Sequence, residues 1–106
     1  MNIAYALCRL GMCAKPVLRV GGDYESNGFK KFLEEGNVPL DGITELPEEA
    51  TSVCYLIQDN HNDHITIFYP GAMDGKYAKP LPDELFEDTK LGVITVASRQ
   101  DNEVIF

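Results

Sequence analysis

No apolar run in this 106-residue chain approaches the roughly 18 residues that suggest a membrane span. Basic residues are scarce: nine Lys plus Arg stand against seventeen Asp plus Glu, a net charge of -8. A surface of that sign repels phosphate backbones, so nucleic-acid binding is not expected. The same field works against ATP, so any nucleotide site needs local positive charge or helix N-termini. Cysteines are few. Cys8, Cys13 and Cys54 are odd in number and lack metal-ligand spacing, which reads as reduced thiols. There is no basic start and no small-residue cleavage site of a signal peptide, so a cytoplasmic location is the default expectation. Internal repeats and low-complexity linkers are also lacking.

What is present is ordinary for a soluble domain: 44% hydrophobic and 25% charged residues. Ile3, Leu7 and Leu10 fall at helical spacing, with Gly11 as the stop. Pro16 opens a strand, 17–20, that runs into Gly21-Gly22. Asp23 or Ser26 is placed to cap a second helix whose apolar face is Phe29, Phe32 and Leu33, and Gly36 ends it. Lys30 and Lys31 stand four residues before Glu34 and Glu35. Residues 38–43 read as a connector and 45–49 as a solvated acidic loop. Residues 51–58 and 65–69, rich in β-branched and aromatic types, predict a hairpin around a polar turn at 59–63. The segment from Lys76 to Asp88 reads as loop, with one helical turn at 83–86. The nearly continuous apolar run 91–97 predicts a buried parallel strand. Strands alternating with helices argue for an α/β fold.

Several residues are candidates for chemistry. Asn2, at a helix N-terminus, offers a donor and an acceptor to a hydroxyl, or simply caps the helix. Gly21 and Gly22 sit where a strand gives way to a helix, where ligands gather in open α/β sheets, or they form a plain turn. Asp23 reaches a ligand hydroxyl or caps. In the hairpin, Val53, Tyr55 and Ile57 share one face, as do Ile65, Ile67 and Tyr69. These residues close over a ligand or pack into a core. His61 and His64 with Asp59 and Asp63 have metal-type side chains, but a flexible turn preorganises them poorly, and no metal site is expected.

The spacing Asn2-Ile3-Ala4, Gly11, Gly21 resembles the N-terminal signature of the PfkB (ribokinase-like) carbohydrate and nucleoside kinases. In that family two glycines come just before the Asn, where this chain has Met1. Val20-Gly21-Gly22-Asp23 followed by Gly28 is similar to the family's helix-opening segment. Phe68-Tyr69-Pro70-Gly71-Ala72 is similar to the Gly-Ala turn after its second lid strand. The order agrees best with adenosine-kinase-like members, over essentially the whole chain. The resemblance implies a three-layer α/β/α domain with a β-sheet lid. It implies transfer of the γ-phosphoryl group of ATP, with Mg²⁺, to a hydroxyl of a nucleoside or sugar, adenosine-like nucleosides being favoured. Residues 1–106 are then an incomplete N-terminal part of one domain, with the lid hairpin at about 51–70. The substrate-binding residues are expected to be Asn2, Gly21, Gly22, Asp23, Tyr55 and Tyr69, and the lid offers a surface for a homodimer. The family's catalytic Asp lies in a Gly-Ala-Gly-Asp motif. Gly71-Ala72-Met73-Asp74 departs from it at Met73 and lacks the usual preceding Asp-Thr, so Asp74 reads as a turn residue. No catalytic residue is expected here, and most of the ATP site should lie elsewhere. The alternative is a catalytically inactive binding or dimerisation module of the same fold.

Overall fold

The computed structural model describes residues 1–73, 81–96 and 103. Helix α1, Asn2–Arg9, ends in a Schellman turn. Gly11 takes φ +85°, its N–H donates to Cys8 O, and the Met12 N–H donates to Leu7 O. Strand β1 is Leu18–Gly21, and helix α2 is Phe29–Glu35. The end of α2 repeats the turn with a different residue. Asn37 takes φ +56°, its N–H donates to Glu34 O, and the Val38 N–H donates to Leu33 O. Gly36, the expected stop, has φ -84°. Its small size serves another purpose, because a Cβ there would run into the Tyr5 ring.

Strand β2, Ile43–Leu46, pairs in parallel with β1, from Leu18 opposite Ile43 to Gly21 opposite Leu46. The sequence pattern predicts connector and acidic loop over this stretch. Its two apolar residues are three apart, so no period-2 alternation marks it. The ladder with β1 makes it a strand, by satisfying backbone groups that neither segment satisfies alone.

One core holds these elements together. Val20 and Leu33 are fully buried, and Tyr24 and Val38 nearly so. Burying side chains of this size stabilises by about 1.5–3 kcal/mol each. Met1, Tyr5 and Cys8 of the α1 region pack on this core, together with Leu18, Phe29, Leu40 and Ile43. Both helices therefore cover the same face of the β1–β2 sheet. This corrects the expected inner face of α1: Ile3 and Leu10 are exposed. Tyr5 lies on the inward side of the helix, its ring stacked on Phe32 at 4.4 Å between centroids and 11° between planes.

Strands β3, Val53–Gln58, and β4, His64–Tyr69, form the antiparallel hairpin as expected. Every residue in them is exposed, so within the described residues the hairpin is not core packing. It returns through a 3-10 turn, Gly71–Met73, that packs against β1. A second such turn, Asp83–Phe86, is the expected helical turn. Residues 91–96 overturn the predicted buried strand. They form no ladder, and Leu91, Val93 and Val96 are 64–80% exposed. An apolar run supplies propensity, but a strand requires a partner for its backbone, and among the described residues none pairs with it. Ala97, Asp74 and the expected loop at 76–80 lie outside the described residues.

Candidate functional site

The carboxyl end of β1 meets the root of the hairpin in a tight backbone junction. The Gly21 N–H donates to Thr51 Oγ1 at 3.0 Å, and the Gly22 N–H donates to Glu49 O at 3.0 Å. Thr51 donates twice to one oxygen of Asp23. Its N–H lies 3.0 Å and its hydroxyl 2.6 Å from Oδ1. The Thr51 hydroxyl thus uses both its functions, accepting from Gly21 and donating to Asp23. The returning strand is tied in as well, with the Ala72 N–H donating to Ala50 O at 2.8 Å.

Glycine is required here because the backbones touch. A Cβ on Gly21 would overlap Glu49 O and the Ala50 backbone. One on Gly22 would come within 2.9 Å of Pro47 O. Gly71 has φ +48°, and a Cβ there would strike Ala50 O. At Gly21 the group in close approach is the chain's own 49–51 segment.

Asp23 does not cap α2, and neither does Ser26, which corrects the sequence reading. Gly28, at φ +79°, stands at the N-cap, and Asn27 Oδ1 accepts the Phe29 N–H at 2.9 Å. The Ser26 hydroxyl donates to Asp23 O at 3.1 Å. The carboxylate of Asp23 is committed to Thr51, whose hydroxyl and then whose N–H hold its pKa below the usual carboxylate value. Neither Thr51 bond uses the second oxygen, Oδ2.

Beside this junction lies an open groove of about 460 Å³, lined by Asn27, Gly28, Phe29, Phe32, Thr51 and Ser52. In the hairpin, the register sets Val53 opposite Tyr69, Tyr55 opposite Ile67 and Ile57 opposite Ile65. Directly opposed residues share a face, so one face is entirely apolar or aromatic and carries both tyrosines. Tyr55 is 58% and Tyr69 50% exposed. Gly21, Gly22 and Asp23 are therefore gathered at the hairpin root, and Tyr55 and Tyr69 on the hairpin itself. Asn2 stands apart as the first residue of α1, exposed, with Met1 rather than Asn2 at the N-cap position. Thr51, which joins the two groups, was missed. A lone Thr before a strand carries no distinguishing sequence signal, and only the contact with a residue 28 positions away reveals it.

The polar turn is organised around Asp59. Its Oδ1 accepts the N–H groups of His61 and Asp63, and His61 Nδ1 lies 3.8 Å from Oδ2. Among the described residues no group of three His, Cys, Asp or Glu is placed to hold a metal ion. No helix among them is long and apolar enough to cross a membrane.

Comparison with known proteins is consistent across sequence and structure. The model of the pfkB family of carbohydrate kinases matches residues 1–104. A nucleoside kinase of Methanothermobacter thermautotrophicus is 30% identical over 71 residues, which are 67% of this chain and 23% of that protein. The nucleoside kinase of Burkholderia thailandensis, solved in complex with inosine, superposes with a TM-score of 0.60 at 29% identity, covering 68% of this chain and 23% of that one. The fructokinase of Halothermothrix orenii superposes with a TM-score of 0.66 at 29% identity, covering 81% and 30%. The chain thus spans about a quarter of the length of the relatives it matches.

Proposed function

The chain belongs to the pfkB family of carbohydrate kinases, and from that premise we propose that it supplies the substrate-binding and lid portion of an ATP-dependent kinase acting on a nucleoside hydroxyl. The observation that carries this reading is the hairpin. Its apolar and aromatic face stands free of the core, and its root is fastened to the carboxyl end of β1, where ligands of open α/β sheets collect. A face of that composition excludes water from a phosphoryl-transfer site, and its two tyrosines offer rings to a base. Nucleosides are favoured over simple sugars for that reason, and the inosine complex of the Burkholderia relative supports the choice.

In this scheme Asn2 offers its amide to a sugar hydroxyl, and Gly22, packed against the Pro47 backbone, holds the strand end at which substrate binds. Asp23 turns Oδ2 toward a second hydroxyl while Oδ1 and Gly21 hold the hairpin root. Tyr55 and Tyr69 close over the base, and the lid face also offers a surface for a homodimer. ATP supplies the phosphoryl group and Mg²⁺ neutralises its charge, both bound mainly by residues outside this chain. Phosphoryl transfer depends chiefly on positioning and electrostatics, and the part assigned to these 106 residues is positioning.

The test is ATP-dependent phosphorylation of a panel of nucleosides and sugars by the complete open reading frame containing this chain, with the 106-residue chain as control. Turnover of a nucleoside by the long form alone is expected. Turnover by the 106 residues would overturn the division of roles. Absence of turnover by both would leave a catalytically inactive binding or dimerisation module.

A further inference from the structure

We propose that Thr51 is a positioning residue for this kinase: with Asp23 it forms a latch that sets the hairpin's angle to the strand end where substrate binds. The proposal rests on the kinase reading above and goes beyond it, since Thr51 is not among the expected substrate contacts. Three observations carry it.

The first is connectivity. Thr51 lies two residues before β3, so its hydrogen bonds tie the outgoing leg of the hairpin to the body at the root. One hydroxyl bridges Gly21 N–H and Asp23 Oδ1, and the Thr51 N–H reaches the same oxygen. The second is the return path. The bond from Ala72 to Ala50 and the overlap a Cβ on Gly71 would make with Ala50 O lock the returning strand to the outgoing one. Both legs of the hairpin therefore follow whatever holds residues 50–51. The third is exposure: every hairpin residue from 53 to 69 is exposed, so among the described residues no core packing fixes its orientation. Among the described residues, it is the hydrogen bonds at the root that set the angle. A displacement of about 1 Å is enough to lower catalysis substantially when positioning is the main contribution.

The experiment uses the full-length kinase with Thr51→Val, which keeps the shape and removes the hydroxyl. Thr51→Ser is the rescue, and Val38→Ala is a destabilised control in the core. Thr51→Val is expected to raise the nucleoside KM about tenfold, the scale of one charge-assisted hydrogen bond, with the ATP KM unchanged. Thr51→Ser should restore the wild-type value. Val38→Ala should lower the unfolding midpoint at least as much without moving the nucleoside KM. Hydrogen exchange is read in parallel, and segment 50–72 should exchange faster in Thr51→Val while 29–38 does not. An unchanged KM in Thr51→Val, or an equal rise in Val38→Ala, overturns the positioning role. If wild type phosphorylates nothing on the panel, the kinase reading has failed instead. The exchange data then decide whether the latch exists, and equal protection in wild type and Thr51→Val removes it.

Discussion

Tyr24 shows how far a single side chain departs from its sequence context. It sits in a polar stretch between Asp23 and Glu25, yet its ring is buried edge-on to Phe29 at 5.8 Å between centroids. Its hydroxyl is buried and, among the described residues, has no hydrogen-bond partner. Burial pushes its pKa above the usual phenol value. A buried polar group without a partner loses its hydration and gains nothing in return. Tyr24→Phe should therefore be neutral or stabilise the chain by up to about 1 kcal/mol, read from urea denaturation. A loss of more than that would show that the hydroxyl has a partner. The ion pairs at this scale are surface features. Lys30 meets Glu25 at 2.7 Å rather than the expected Glu34, while Lys31 and Glu35 stand 4.0 Å apart as their spacing predicts.

At the scale of elements, glycines mark two physically different needs. Gly11 closes α1 with a left-handed φ, and a Cβ there would meet open space. Gly21 has no unusual φ, but the space for its Cβ is filled by backbone. Gly11→Ala should cost about 1 kcal/mol, the strain of a left-handed residue. Gly21→Ala should cost about 1–3 kcal/mol because backbone must move. Equilibrium unfolding of the two variants side by side checks the order, and a milder Gly21→Ala would mean that the 49–51 segment is not held against β1. The sequence alone marks Gly11 as the helix stop, but nothing local records that distant backbone fills the space beside Gly21. The helices were legible because their 3.6-residue periods are long enough to read, and the hairpin because two β-rich runs flank polar turn residues. Strand β2 and the 91–96 run failed in opposite directions for one reason. Strand identity belongs to a pair, and a segment carries only half of the information.

For the whole molecule, the Asp23–Thr51 contact makes the junction of hairpin and body sensitive to acid. The folded-state pKa of Asp23 is lowered by the Thr51 hydroxyl and then the Thr51 N–H. The unfolded chain therefore binds the proton more readily. The contact contributes stability above the ordinary carboxylate pKa and loses it as pH falls through the lower folded value. Asp23→Asn should lower the thermal midpoint near neutrality, and its gap from wild type should narrow progressively in the acid range below the ordinary carboxylate pKa. A gap independent of pH would mean that the charge is irrelevant to the contact. Family, α/β class, hairpin and the position of its turn were written in the sequence, because signature spacing and short-range periodicity are local properties of a chain. The pairing of β2 with β1, the inward face of α1, the neighbours of Gly21 and the union of Asp23 with Thr51 appeared only on folding. Each depends on groups far apart in the chain, and no local pattern records which distant group will fill the space.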